Sequence, residues 1–268
     1  MISITKNKLK KLLCTALGIL FWCAVWQITA VTLNKPYLIP TLPATLSALW
    51  EITASGKLFK TVLFTMLRVL LGLTTGVVFG VLLAFLTNRF NFLQAIVSPI
   101  ISVIKSTPVA SFIVILWVLL DGGTLAVFIA FLMVMPIIWQ NLTDGFSAIS
   151  TELSELCDVF GFSYTKRLRL LIIPTLYSYF IPALITSVGL AWKSEIAAEI
   201  IAYTKNSIGA MINDAKYFLE TPKVFALTII IVIMSLLLEG VTKYLMRRCK
   251  NGRQNHQSEK ELLGQKNI

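Results

Sequence analysis

The sequence is poor in charge and has almost no histidine. Only 14% of its 268 residues are Asp, Glu, Lys or Arg, and His256 is the single histidine; an average soluble domain is about 25% charged. The four cysteines, Cys14, Cys23, Cys157 and Cys249, form no CxxC pair. These features argue against a disulfide-stapled fold and a metal cluster, so we expect unpaired thiols, no metal site and no bound cofactor.

Signatures of nucleotide and hydrolytic chemistry are also missing. The chain contains no GxxxxGK[ST] phosphate-binding loop, no HExxH zinc motif and no GxSxG nucleophile elbow. We therefore do not expect this chain to bind ATP through such a loop or to act as an enzyme.

Apolar residues are abundant instead. They make up 56% of the chain, and the mean hydropathy is +0.79. At about 20 residues per span, this supply is enough for six membrane helices. The net charge of +11 comes from residues at the ends and edges of apolar runs, which argues against a nucleic-acid binder. The composition predicts an all-α, multi-pass membrane protein.

Six apolar runs along the chain are candidates for membrane spans. We place them at residues 12–33, 61–86, 108–120, 124–139, 174–192 and 225–245. The first exceeds the roughly 7–15 apolar residues of a signal peptide and is read as a retained span. The stretch before the third run is read as a partly buried approach helix. The expected organisation is a first helix (1–33), a core (34–245) and a basic tail (246–268).

The distribution of basic residues predicts the orientation. With the N-terminus inside, fifteen of the 24 lysines and arginines lie in inner segments and seven in outer segments, while Arg68 and Lys105 lie within runs. Basic residues accumulate on the cytoplasmic side. We therefore expect both termini, and the polar segment 141–173, to face the cytoplasm.

The second run carries a stripe of small residues. Gly72, Gly76, Gly80 and Ala84 are four residues apart, so they share one helix face. In a membrane such a stripe lets a second helix approach closely. We expect a tightly packed helix pair here.

The polar segment 141–173 begins with the pattern of a short amphipathic helix. Ser150 is positioned to cap it, and Leu153, Leu156 and Phe160, with Cys157 beside them, form an apolar stripe. The stripe needs a covering surface, which is either another protein or the chain's own spans.

A glycine corner is expected to follow. Gly161 can end the first helix, and Ser163 can cap a second, basic helix that ends where Pro174 opens the fifth span.

Several charges fall within or beside the apolar runs, where charge is costly. Arg68 is expected to reach outward to the membrane surface, and Glu239 to pair with Lys243 four residues later. Glu195 and Glu199 can share one helix face, and Lys193 can meet either an anionic substrate or a neighbouring carboxylate. The candidate residues of a translocation pathway are Lys105, Trp192, Lys193, Glu195 and Glu199.

The segment 141–173 resembles a known motif. Glu155-Leu156-Cys157, then three residues, Gly161, and later Ile173-Pro174 resemble the EAA loop of ABC importer permeases. The chain keeps the Glu, the Gly, the Pro and their spacing. It has Leu and Cys in place of the two alanines, and Ile before the proline in place of Leu.

Other stretches resemble permeases of the nitrate/sulfonate/taurine class, and the likeness covers about residues 35–245. The stretches are Leu42–Thr45, Leu67–Gly72, Lys105–Pro108, Ala191–Lys193 and Ala197–Glu199.

The resemblance implies a type I ABC importer fold in a bacterial-type plasma membrane. Two permease chains, expected to be identical, would pair with two ATPase subunits that hydrolyse the ATP, and with an extracytoplasmic solute-binding protein. Coupling to the ATPase would fall to Leu153, Glu155, Leu156, Cys157, Phe160, Gly161 and Pro174. The implied solute is a small anion such as nitrate, an alkyl sulfonate or taurine; a thiamine-pyrimidine precursor is the alternative.

Two other classes of protein compete with this interpretation. A stand-alone secondary transporter or channel would typically show internal repeats, and no clear repeat relates the two halves. A membrane-embedded enzyme would need a catalytic constellation, and none can be named.

Overall fold

A computed structural model shows an all-helical chain over the residues that the structure describes. These are residues 2–265 for the backbone, and 13–246 and 248 for the side chains. The helices are α1 Ile2–Leu33, α2 Leu42–Ala54, α3 Lys57–Arg89, α4 Asn91–Ser106, α5 Val109–Trp117, α6 Gly122–Ser147, α7 Thr151–Val159, α8 Tyr164–Arg167, a π-helical turn Leu168–Ile172, α9 Ile173–Ile201, α10 Ile208–Tyr217 and α11 Thr221–Gln265.

Five helical runs are long and apolar enough to cross a membrane. They lie in α1, α3, α6, the continuous run from α8 to α9, and α11; the bent pair of α4 and α5 makes a sixth if it is counted as one span. The predicted all-helical membrane architecture is confirmed in this form. The N-terminal lysines and most basic residues of the tail lie outside the described side chains, and the orientation remains a prediction.

The predicted third span at 108–120 is wrong, because the helix found there is too short to cross a membrane by itself. α5 has only nine residues, which gives about 14 Å against a hydrocarbon core of about 30 Å. α4 and α5 meet at an angle of 99°. The break follows from Pro108, because a proline disfavours helical backbone at the residue before it, and Thr107 is extended with φ −82° and ψ 133°.

Two other spans are longer than predicted. α6 continues through Pro136 to Ser147 rather than ending near residue 139. The fifth span does not begin at Pro174, because helical structure is continuous from Tyr164 to Ile201. Pro174 has no backbone N–H to donate. A π-helical turn ends two residues before it, at Ile172, and through this turn the helix passes Pro174, where the sequence predicted that one helix ends and the next begins.

The centre of the bundle is the packed pair of α3 and α6, with α9 against them. The small-residue face of α3 is buried against a matching row of α6. A Cβ atom at Gly72 would lie 2.5 Å from Cβ of Ala130, and one at Gly76 would lie 2.7 Å from Cβ of Val134. Only a residue without a side chain permits this approach.

α1 lies at the edge of the bundle. Its side chains between Leu13 and Leu33 are mostly exposed, and it is joined to the rest near its C-terminal end. There the Trp26 indole N–H donates to the carbonyl of Pro40 at 3.0 Å, and the Leu42 backbone N–H donates to the Gln27 amide oxygen at 2.8 Å. In a membrane, the exposed face of α1 is available to lipid or to another chain.

Candidate functional site

The segment between α6 and α9 forms a short helix with a rigid corner. α7 begins at Ser150, whose hydroxyl accepts the backbone N–H of Leu153 at 3.2 Å. At its end Gly161 is left-handed with φ +61°. The Phe162 N–H donates to the carbonyl of Cys157 at 2.9 Å, and the Gly161 N–H donates to that of Asp158 at 3.1 Å. These two bonds define a Schellman motif, which fixes the chain direction at the glycine.

The apolar stripe of α7 is not covered by the chain's own spans. Leu153, Leu156 and Phe160 are 50%, 49% and 71% exposed. Glu155 is exposed, and Cys157 is half-buried and free. Among the described residues, the chain's own spans do not cover the stripe, and they are one of the two surfaces that the sequence left open.

α7 is braced against the start of the long fifth helix. The Arg167 guanidinium pairs with Asp158 at 3.0 Å, from Nη1 to Oδ1, and also contacts the Ser154 hydroxyl. Ser163 occupies the predicted cap position, but its side chain makes no capping hydrogen bond. Helix is continuous from Tyr164 to Ile201. The turn at Gly161 therefore joins α7 to one long helix, which packs against α6 and α3.

A buried ion pair lies near the opposite end of α9. The Arg68 guanidinium contacts the Glu199 carboxylate at 2.9 Å, and the Glu199 side chain is fully buried. Arg68 also donates to the backbone carbonyl of Lys205 at 3.1 Å. The prediction that Arg68 reaches outward to the membrane surface is wrong: it points into the bundle, where Glu199 neutralises its charge.

The same carboxylate ties three helices together. The Thr65 hydroxyl of α3 donates to Glu199 at 2.9 Å and accepts the backbone N–H of Ile208, the first residue of α10, at 3.2 Å. The Gly209 N–H donates to Glu199 at 3.3 Å. Sequence reasoning missed this junction, because Thr65 and Arg68 lie more than 130 residues from Glu199 in the chain. One feature of the sequence did indicate it: Thr65 and Arg68 lie on α3 close to the face of the glycine stripe, which is the face expected to pack inside the bundle.

The other predicted pathway residues of α9 lie in different surroundings. Glu195 shares the buried face with Glu199, and neither of its oxygens has a hydrogen-bond partner among the described residues. Trp192 is fully buried, and its indole N–H donates to the carbonyl of Ile231 in α11 at 3.2 Å. Lys193 is exposed, and the ion pair of Glu199 is with Arg68 instead. The predicted pair of Glu239 and Lys243 is confirmed at 3.2 Å.

Lys105 lies beside a cavity of about 280 Å³ at the break between α4 and α5. Its walls come from both sides of the break, from α6 and from Leu190 of α9. Apart from Lys105 and Thr107, the lining side chains are apolar. Of the predicted pathway charges, Lys105 lines this cavity, whereas Lys193, Glu195 and Glu199 do not.

A larger concave surface, of about 640 Å³, lies between the end of α9 and α10. Its rim carries Tyr203, Tyr217 and Phe218, all of which are exposed. The Tyr203 hydroxyl donates to the carboxylate of Asp214, and this hydrogen bond raises the pKa of Tyr203. By the predicted orientation, this surface faces away from the cytoplasm.

Comparison with known proteins finds one matching family and a solved structure with the same fold. Residues 76–251 match the family described as "Binding-protein-dependent transport system inner membrane component", which is more than half of the chain. Among solved structures, one titled "Crystal structure of an amino acid ABC transporter with histidines" has a TM-score of 0.62 and 17% sequence identity. The similarity covers 76% of this chain and 97% of that one, and it shows a shared fold.

Relatives with curated names are similar over most of their length. A Bacillus subtilis protein named as a permease for aliphatic sulfonates transport is 24% identical, over 87% of this chain and 85% of its own. The taurine transport system permease protein of Escherichia coli is 24% identical, over 83% of each chain. The nitrate import permease protein of Synechococcus elongatus is 26% identical, over 78% of each.

The family match, the relatives and the helical architecture agree. Family members are inner-membrane transport components rather than enzymes, and the binding-protein-dependent system implies a solute-binding protein and an ATPase as partners. This chain belongs to the family of inner-membrane permease components of binding-protein-dependent ABC transport systems.

Proposed function

We propose that this permease imports a small anion and that α7 couples it to a separate ATPase. The observation that carries the coupling role is the exposed apolar stripe of α7, held by the Gly161 corner at the base of a continuous helix. Leu153, Leu156 and Phe160 fill a groove on the ATPase, and Glu155 orients the helix by polar contacts beside them.

The corner explains how closure of the ATPase reaches the membrane. A hydrogen-bonded Schellman turn and the Arg167–Asp158 ion pair keep α7 at a fixed angle to the helix that passes through Pro174. Displacement of α7 therefore tilts α9 instead of being absorbed by a loose loop. Each α7 docks on one ATPase, and we propose that two copies of this chain with two ATPase subunits form the transporter, as the family resemblance implies.

An anionic solute is supported by the relatives' names and by the basic side chains. The relatives are named for sulfonates, taurine and nitrate, and Lys105 supplies a positive charge beside a cavity. Import of an uncharged vitamin precursor has one point in its favour, a relative named as a riboflavin transport system permease. The solute-binding protein docks on the outer surface around α10.

The coupling role is tested by Gly161→Val in the whole importer. A β-branched residue is strained at φ +61°, by roughly 1–2 kcal/mol, so the corner opens. We expect uptake of labelled taurine, butanesulfonate and nitrate to fall about tenfold for whichever of these is transported, while the ATPase still co-purifies.

Two control variants separate strain from bulk. No atom lies within 4 Å of a Cβ added at Gly161, so size alone is tolerated there. Gly161→Asn, which adopts left-handed backbone readily, is expected to retain uptake. Gly18 lies in α1, where space is also open, and we expect Gly18→Val to leave uptake unchanged. Full uptake by Gly161→Val would refute the coupling role of the corner.

A further inference from the structure

Lys105 lies in the last turn of α4, level with residues from the middle of α6 and α9. It is fourteen residues from the start of α4, which is about 21 Å along the helix axis. The cavity beside it is lined by Pro136, which lies well inside α6, and by Leu190 of α9. A charge at the bilayer centre costs roughly 2.5–3.5 kcal/mol on insertion scales. Its side chain is exposed, so the charge needs water, a carboxylate or an anionic ligand beside it.

Among the described side chains of this chain, no carboxylate forms an ion pair with Lys105. Glu195 and Glu199 are fully buried, and Glu199 already pairs with Arg68. Glu239 pairs with Lys243 at 3.2 Å. Asp144 accepts a hydrogen bond from Gln140 at 2.9 Å and lies three residues before the end of α6.

We propose that the cavity at the α4–α5 break is an anion site in the translocation pathway and that Lys105 is its selectivity-determining residue. This inference rests on the proposed import of an anion. The site meets a passing anion halfway across the membrane, after the binding protein has released it.

The walls of the cavity define the ligand further. The Thr107 hydroxyl already donates its hydrogen to the carbonyl of Val103 at 2.8 Å, so the donor for an anion is Lys105. Val109, Met133, Pro136 and Leu190 supply apolar surface. One cation above apolar walls suits a monoanion with a short apolar body, whose charged end contacts Lys105. A volume of about 280 Å³ is below the range of drug-sized ligand pockets, so the ligand is small.

The test measures the electrostatic potential inside the cavity with thiol reagents of opposite charge. Val109 is replaced by Cys in the full importer, with the native cysteines replaced by Ser. Labelling rates are measured in membrane vesicles with an anionic sulfonatoethyl and a cationic trimethylammonioethyl methanethiosulfonate. We expect Lys105→Gln to lower the anionic-to-cationic rate ratio about tenfold, the effect of one unit charge a few ångströms away in a partly hydrated site. The matched control Lys60→Gln, on the exposed start of α3, should leave the ratio unchanged.

Ligand protection provides the second readout. Propanesulfonate should slow labelling of the Val109→Cys reporter several-fold, uncharged propanol should not, and Lys105→Gln should abolish the protection. Met133→Cys serves as a reporter on α6 if the first variant does not fold. Equal rate ratios with and without Lys105, protection by propanol, or no labelling at either reporter would overturn the proposal. Co-purification of the ATPase is scored separately, so a failure of the coupling role is distinguishable from a failure of this site.

Discussion

At the scale of single residues, two glutamates one turn apart on α9 have opposite surroundings. Glu199 accepts from Arg68, from Thr65 and from the start of α10. Glu195, equally buried, has no hydrogen-bond partner among the described residues. A buried ionised carboxylate without a partner is costly, so the two carboxylates cannot contribute equally to stability.

The same substitution at both positions tests this difference. We expect Glu199→Gln to lower the unfolding free energy by about 2 kcal/mol, because charge-assisted hydrogen bonds are lost. Glu195→Gln, which replaces a buried carboxyl that has no hydrogen-bond partner among the described residues, should leave stability unchanged or raise it. The stabilities of the two purified variants are compared by thermal denaturation in the same detergent. Equal destabilisation by both would show that Glu195 has an ionic partner of its own.

At the scale of elements, the pairing of α3 with α6 holds the bundle together. Gly72, Gly76 and Gly80 face Ala130, Val134 and Ile138, which repeat with the same spacing of four. A Cβ at Gly76 would approach Cβ of Val134 to 2.7 Å, so the two backbones must move apart to admit it. Such overpacking typically costs 1–3 kcal/mol.

We therefore expect Gly76→Ala to lower the melting temperature of the purified permease. Gly240→Ala is the matched control, because it lies in α11 with no atom within 4 Å of the added Cβ. It should match the unchanged protein or exceed it slightly through better helix propensity. A Gly76→Ala protein as stable as the control would show that the helices separate at little cost.

At the scale of the whole molecule, orientation decides which surface meets which partner. The proposed function requires α7 inside the cell and α10 outside. We expect Tyr217→Cys, at a side chain that is 83% exposed, to react with a membrane-impermeant thiol reagent in intact cells. Cys157 should react only after the membrane is permeabilised. Mass spectrometry of the labelled peptides gives the answer, and the reverse pattern would invert the topology.

The sequence predicted the long spans, the glycine stripe and the α7 corner, because each depends on residues close together in the chain. Apolar runs, spacing of four, and a cap followed by a glycine are local patterns. The break at Pro108 was visible as well, but the lengths of α4 and α5 were not. Pro136 and Pro174 were misleading for a physical reason, since packing and a π-helical turn keep both helices continuous through them.

The Arg68–Glu199 junction could not be predicted from local sequence patterns. Its members come from α3, from the end of α9 and from the start of α10, and only the assembled bundle brings them together. The sequence left Lys193 to meet either an anionic substrate or a neighbouring carboxylate, and no local pattern linked Glu199 to an arginine 131 residues away. Lys105 was recognised as a misplaced charge, whereas its cavity needed the packing of α6 and α9.

Coupling through α7 is tested most directly by the composition of the complex that this chain forms in its native membrane. The tagged permease is extracted in mild detergent and examined by native mass spectrometry, beside a Leu156→Asp/Phe160→Asp variant and a matched Val232→Asn control on the exposed face of α11. We expect two permease chains with two P-loop ATPase subunits, and loss of the ATPase from the α7 variant alone. Recovery of the permease without an ATPase, or an ATPase retained by the α7 variant, would contradict this expectation.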